Sequence, residues 1–251
     1  MVIQSLHIYP VKSLGGISVP KAIISDRGFQ HDRRWMLVDA DGQFLTQREF
    51  PSLSLVDVSI EHDHLLLRHR QDALPLLEVP LVPEGQEYIR VKVWSSSVKA
   101  KEASASVSAA LTAWLGQPIR LVHMPDEAQR IANPRVVQGI ERMSFADGYP
   151  YLLIGQGSLD DLNGRLAQPV PMNRFRPNLV VSGTLPFAED DWGRISVGES
   201  VFRAVKPCAR CTITTVDQAT AERGPEPLRT LASFRTQGNH VMFGQNLICE
   251  L

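Results

Sequence analysis

A mainly β fold of the α+β class, with only a few short helices, is what this sequence predicts. Three observations carry that expectation. Short runs of alternating or continuous apolar residues recur along the chain; turn signals separate them; and helix-period patterning is confined to three brief stretches that do not alternate regularly with the strands. The last point argues against a doubly wound parallel sheet. At 251 residues the chain can hold one large domain or two smaller ones with separate cores.

Residues 2–9, 19–25, 35–39, 53–60 and 88–94 read as strands, separated by Gly15-Gly16, Asp41-Gly42 and Pro83-Glu84-Gly85. Asp41-Gly42 joins 35–38 to 44–46 as a hairpin, because Asp and Gly tolerate the positive φ of a two-residue turn. Val107, Ala110, Leu111, Trp114 and Leu115 then form one apolar helical stripe that stops at Gly116 and Pro118. Ser158-Leu-Asp-Asp161 resembles a capping box and predicts a helix burying Leu159, Leu162 and Leu166. Residues 227–234 read as a third helix with Leu228 and Leu231 inward. Strands resume at 119–123, 179–182, 201–205, 212–216 and 246–250. Residues 124–148 are polar and aperiodic, and a loop of that length predicts a binding lid.

The 26 basic and 27 acidic residues give a net charge of -1, so no global electrostatic footprint for nucleic acid or anionic membrane exists. No apolar run approaches the roughly 18 residues of a membrane helix, and residues 1–10 lack the basic-then-apolar layout of a signal peptide. Three cysteines do not make a secreted disulfide framework. A soluble, cytoplasmic chain with no nucleic-acid or membrane partner is expected.

Candidate chemistry centres on Cys208-Ala-Arg-Cys211. A thiolate is the reactive and metal-binding form of cysteine, and the adjacent Arg210 guanidinium favours it. A structural zinc site needs four ligands, but only Cys249 is left to join the pair, and no His pair stands at finger spacing. A thioredoxin-like pair opens a helix, whereas residues 212–216 read as a strand. A single thiolate on a metal held mostly by an organic cofactor fits better, against the plain alternative of two inert, buried thiols.

Arg174, Arg176 and Asn178, ahead of the strand at 179–182, suit an anion cradle; the competing reading pairs the arginines with Glu189, Asp190 and Asp191. Lys12 and Ser13 follow one strand, and Arg33 and Arg34 precede another. Each pair alone reads as solvated surface, but three basic loops at strand ends together with a thiol suggest one converging site for an anionic ligand. The seven histidines stand at no convincing ligand spacing, and His62-Asp63-His64 suits only adventitious metal.

With these residues in order, the chain resembles the MOSC family, named for the C-terminal domain of molybdenum cofactor sulfurase, in the architecture that places a β-barrel domain first. The resemblance runs through Tyr9-Pro-Val-Lys-Ser13, Asp32-Arg33 with Trp35, Phe145 with Asp147 and Pro150, Ser158 to Asn163, Arg174-Phe-Arg-Pro-Asn178, Ala188-Glu-Asp190 with Trp192, residues 208–217, and Phe243-Gly-Gln-Asn246. It implies an N-terminal MOSC-type β-barrel domain over residues 1–121 and a MOSC domain over 122–251. It also implies a molybdenum cofactor, Mo-molybdopterin, whose metal is bound by Cys211 as the catalytic ligand. Lys12, Ser13, Arg33, Asp147, Arg176 and Asn178 are the cofactor-binding residues by the same resemblance.

The implied activity is that of an oxidoreductase reducing small N-hydroxylated compounds. A separate electron-donor protein, of flavoprotein or ferredoxin type, follows from the lack of any ferredoxin-like cysteine cluster. The alternative is a carrier of persulfide sulfur or of the cofactor, related to the sulfurases. Pyridoxal phosphate, which the sulfurase association brings to mind, is not expected, because no lysine stands in a recognisable Schiff-base context. Asp217-Gln-Ala-Thr-Ala221 departs from the family's Asp-x-Thr-Gly, and residues 95–102 lack its frequent Asp-x-Gly.

Overall fold

Strand pairing organises the chain. The structure is a computed structural model that describes residues 1–70, 74–83, 87–133, 136–137 and 141–250. The largest sheet runs Arg194–Val197, Ser200–Arg210, His240–Glu250, Tyr151–Gly155, Leu179–Ser182, Val2–Ile8 and Ile17–Val19, with Thr236–Gln237 attached to His240–Glu250. Its pairs are antiparallel except Tyr151–Gly155 with Leu179–Ser182, which lie parallel because the helix Gln156–Arg165 carries the chain across between them.

A four-stranded sheet, Trp35–Val38, Arg120–His123, Ser96–Glu102 and Tyr88–Val93, and a three-stranded one, Val56–Glu61, His64–His69 and Leu77–Pro80, are built from the first half of the chain. The short pair Ile24–Ser25 and Gly28–Phe29 stands apart. The mainly β, α+β character follows the strand patterning. Residues 1–121, expected to form the first domain, contribute their first two strands to the large sheet: Leu6 pairs with Leu179 and Val19 with Leu6. The two halves are thereby joined by the backbone hydrogen bonds of Val2–Ile8, directly before the basic loop that follows Ile8.

Each half has its own core. Val11, Leu14, Trp35, Leu37, Leu53, Leu65 and Leu121 bury one face of the first half, and Tyr151, Leu153, Leu179, Phe202 and Leu247 fill the other. The helix Ala105–Leu115 follows its apolar stripe: Ser104 Oγ accepts the Val107 N–H at 3.4 Å, and the chain exits through Gly116 at φ 70°. The third helix is Leu228–Ala232, with Leu231 buried. The Asp41-Gly42 turn forms with Gly42 at φ 76°, although beyond it only the Phe44 bridge to Val38 extends the ladder.

Two local expectations are corrected. Ser158 is no N-cap: the helix begins at Gln156, and Ser158 Oγ donates to the buried Glu189 carboxylate and accepts the Phe187 N–H at 2.7 Å. A tertiary partner thus takes the oxygen that a cap would use. Residues 212–216 are not a strand but a 3-10 turn, Thr212–Thr215, in which Thr214 Oγ1 donates to Cys211 O at 3.0 Å and Thr215 Oγ1 to Thr212 O at 2.8 Å. Local hydroxyl-to-carbonyl bonds compete successfully with the β propensity of threonine.

The segment expected to be a lid is a packed wall where it is described, with Ala132, Val137 and Met143 buried and Ile131 bridged to Arg142. Its residues 134–135 and 138–140 lie outside the described residues, as do Glu84 and Gly85 of one expected turn.

Gly244 sits at φ 80°, and a Cβ there would lie 2.7 Å from both Leu153 O and Ile154 Cγ1. Gly164, inside the helix Gln156–Arg165, would meet nothing within 4 Å. Urea unfolding is expected to show Gly244→Ala destabilised by about 2 kcal/mol or more. Gly164→Ala is expected to be stabilised by up to about 1 kcal/mol.

Candidate functional site

Two register shifts in the pairing of Ser200–Arg210 with His240–Glu250, at Ala204/Lys206 and Pro207/Ala209, bend the strand just before its thiols. Cys208 and Arg210, two residues apart on a strand, share a side, and Arg210 Nη1 donates to Cys208 Sγ at 3.1 Å while Nη2 donates to Phe175 O at 2.6 Å. Cys211 lies one step further, at the end of the strand and the start of the 3-10 turn. Its sulfur is met by Arg48, whose Nε stands 3.3 Å away. The guanidinium expected beside the metal-ligand candidate is therefore Arg48, from a loop of the first half, and Arg210 serves Cys208. Both thiols are free and partly exposed.

Arg174 and Arg176 separate in role. Arg174 braces the turn after Cys211, through Asp217 Oδ2 at 2.7 Å and Thr214 O at 3.5 Å. Arg176 faces the cleft. Neither pairs with Glu189 or Asp190; Glu189 is taken by Ser158 and Gly155, and Asp190 by Arg235 and Gln245.

One cleft of about 360 Å³ brings together Lys12, Ser13, Arg33, Asp147, Arg176, Asn178 and Cys211, the full set expected from the sequence. Arg48, Trp94, Lys206, Cys208 and Arg210 also line it. Six cationic side chains thus face a lining that contains a single carboxylate, Asp147.

Behind the lining, the Tyr9 ring is contacted by two guanidiniums, with Arg33 Cζ 4.4 Å and Arg176 Cζ 4.3 Å from its centroid. Tyr9 O–H donates to Pro177 O at 3.1 Å, and burial pushes its pKa up to about 12 despite the two arginines, so the ring stays neutral. Arg33 Nη1 donates to Asp32 Oδ2 at 2.6 Å and Asn178 Oδ1 at 2.9 Å. Asn178 also accepts the Leu152 N–H and donates to His7 O, so its amide is spent on holding Arg33 and the sheet.

Arg176 Nη1 donates to Leu14 O at 2.7 Å, while its Nη2, buried, has no partner; Arg210 Nε is likewise buried and unpaired. Burial, reinforced by the Arg33 charge, lowers the Arg176 pKa to about 10, which leaves it cationic at neutral pH. Ser13, Arg33, Trp94 and Arg176 all hold positive φ, at 71°, 48°, 55° and 56°. For non-glycine residues each such conformation costs on the order of 1 kcal/mol, and strain of this kind gathers at ligand clamps.

Lys12, buried, donates from Nζ to Phe145 O at 2.9 Å and pairs with Asp147 Oδ1. Trp94 Nε1 reaches the same carboxylate at 3.0 Å and Arg48 Nη2 approaches it at 3.6 Å. Burial lowers the Lys12 pKa to about 8, with Asp147 opposing the shift. Confinement in the cleft wall pushes the Asp147 carboxyl upward, but Lys12, Arg48 and the indole N–H outweigh that and hold it well below the ordinary range. Arg130 threads behind the loop, donating to the carbonyls of Ser144, Ala146 and Asp147.

Arg48, Trp94 and Arg130 were not legible as site residues. They come from a hairpin exit, a hairpin tip and an aperiodic loop, and no local pattern distinguishes them. Among the described residues no group of three or more His, Cys, Asp or Glu side chains could hold a metal alone. A metal here needs a ligand set that arrives with it.

Residues 1–118 match the MOSC N-terminal beta barrel domain and residues 141–250 the MOSC domain. The chain is 30% identical to mitochondrial amidoxime-reducing component 1 of Homo sapiens, over 99% of this chain and 78% of that protein. It is 33% identical to mitochondrial amidoxime reducing component 2 of Rattus norvegicus, over 93% and 72%. Molybdenum cofactor sulfurase of Oryza sativa subsp. japonica is 30% identical over 96% of this chain, which spans about a third of that longer protein, 32%.

Because Lys12 loses its proton near pH 8, an anion probe should bind more weakly above that pH. Calorimetry with pyrophosphate is expected to show affinity falling about tenfold between pH 7 and 9.5, and Lys12→Arg should flatten that loss. Folding stability runs the other way. The unfolded chain keeps this proton to about 10.5, so between pH 8 and 10.5 the unfolded state binds more protons and the Lys12 contribution to stability rises with pH.

Proposed function

The chain belongs to the MOSC family, and from that premise we propose that its cleft holds a molybdenum-bearing pterin cofactor through Cys211 and reduces N-hydroxylated small molecules. The single observation that carries this reading is the partly exposed sulfur of Cys211 in a cleft where six cations face one carboxylate. A phosphorylated pterin supplies the anionic groups and hydrogen-bond acceptors that such a lining lacks. Arg176 and Arg210 line the cleft and no carboxylate pairs with either among the described residues, so their charges are left over from the protein's own bonding.

In this reading Lys12, Ser13, Arg33 and Arg176 would hold the phosphate and pterin, and Asn178 keeps Arg33 aimed. Asp147, pinned by Lys12 and Trp94, would accept a ring N–H. When bound, the cofactor supplies two-electron redox chemistry at its metal. Reduction of an N–OH group takes two electrons and two protons and yields N–H and water. The chain's three cysteines cannot make a four-thiolate iron–sulfur cluster, so the electrons come from a separate carrier protein. Arg48, beside the Cys211 sulfur and the Trp94 ring, orients groups at the mouth of the cleft.

A second reading, sulfur carriage, is supported by the likeness to the sulfurases and by the presence of Cys208 in the same cleft. Intact mass after incubation with a cysteine desulfurase should then gain one sulfur on Cys208 or Cys211. No added mass counts against it.

Protein from cofactor-producing cells should contain molybdenum by elemental analysis. Cys211→Ser is expected to lose at least about tenfold in bound metal and in amidoxime reduction, and Asn178→Ala about tenfold in cofactor retention. Full metal content and activity in Cys211→Ser would end the proposal.

A further inference from the structure

The hairpin whose tip carries Trp94 has a second unusual property, on its outward face. Along Tyr88–Val93 and Ser96–Glu102 the inward residues Val91, Val93, Val98 and Ala100 are buried, while Arg90, Lys92 and Lys99 are exposed. The register sets Arg90 directly opposite Lys99, with Lys92 on the diagonal. Like charges so placed repel and destabilise a sheet.

Elsewhere in the molecule the same situation is relieved. Arg194 lies opposite Arg203, and Glu250 pairs with both. On the hairpin no carboxylate plays that part. Glu102 turns to Arg120 and Ser108, Glu127 is held by the Tyr88 hydroxyl, and none of Arg90, Lys92 or Lys99 is in an ion pair among the described residues. A chain with net charge -1 thus keeps an uncompensated basic patch that starts two residues from the cleft-lining Trp94 and spans about 7 Å along the strand, from Lys92 to the Arg90–Lys99 pair.

We propose that this patch is the docking surface for an acidic, one-electron carrier protein that delivers electrons at the mouth of the cleft. The inference rests on the reductase reading, which requires two electrons from outside the chain for each N–OH reduced. Uncompensated rim charge raises the rate of encounter with an oppositely charged partner and makes it sensitive to salt. The patch leads toward Trp94, whose ring Arg48 covers while its Nε meets Cys211, so a protein seated on it reaches toward the opening above that sulfur.

The test uses the full-length holoprotein, an acidic plant-type [2Fe–2S] ferredoxin as the probe carrier, and the double variant Lys92→Glu with Lys99→Glu. Wild type should bind the ferredoxin with a dissociation constant that rises steeply with salt, and the double variant should bind at least about tenfold more weakly. Its molybdenum content and its turnover with reduced methyl viologen, a small donor that needs no docking surface, should match wild type. The melting temperature of Lys99→Glu should rise, since the Arg90 repulsion is relieved; this separates a docking defect from misfolding.

Equal ferredoxin affinity in wild type and double variant overturns the proposal. So does capture of anionic vesicles or RNA through these lysines by a protein that ignores the ferredoxin. Absence of any reductase activity in wild type with methyl viologen would instead remove the functional reading, while the binding comparison would still decide where acidic carriers dock.

Discussion

One partly buried guanidinium without a carboxylate to match it, that of Arg176, sets the terms for this molecule. Arg33 and Arg176 lie against the Tyr9 ring, Arg33 is neutralised by Asp32, and Arg176 makes do with one carbonyl and an unpaired nitrogen. Taking a charge out of water without a full set of partners is costly. The left-handed backbone at Ser13, Arg33 and Arg176 adds strain in the same place. An anionic ligand in the cleft offsets both, which is why the arrangement makes sense as a binding site and poor sense as a stabilising network.

The way the chain is divided between its sheets serves that site. Val2–Ile8 and Ile17–Val19 pair within the large sheet, so the loop between them, with Lys12 and Ser13, lies at the junction of the two halves. Trp35 then hydrogen-bonds back to Pro10, and Lys12 N to Trp35 O, tying the first half's own sheet to that loop. Arg48 and Trp94 from one half meet Asp147 and Cys211 from the other. The cleft exists only where both halves are present, and the thiol at the end of Ser200–Arg210 is useful only because cations from distant segments converge on it.

How much of this could be read from the chain varied with the range of the interaction. Strands with alternation, such as Tyr88–Val93, and the helix Ala105–Leu115 with its stripe and Gly116 stop were legible, since their signals are local. Tyr151–Gly155 was missed because its short, continuous apolar run leads straight into the helix Gln156–Arg165, and periodicity does not separate such a strand from a buried helical turn. Ser158 and residues 212–216 misled because a tertiary carboxylate and local threonine bonds overrode the pattern. The basic motifs at Lys12, Arg33 and Arg176 were legible as residue types, and their convergence is a property of the fold alone. Arg48 and Arg130 carried no signal at all, as their partners lie far away in sequence or are bare carbonyls.

The most direct measurement of the central claim is paired urea unfolding of ligand-free wild type and Arg176→Met, each with and without pyrophosphate. If Arg176 is held for an anion and not for the fold, the variant keeps or exceeds wild-type stability without pyrophosphate and loses most of the stabilisation that pyrophosphate gives wild type. A variant that is strongly destabilised alone yet still gains the full stabilisation from pyrophosphate would contradict the account.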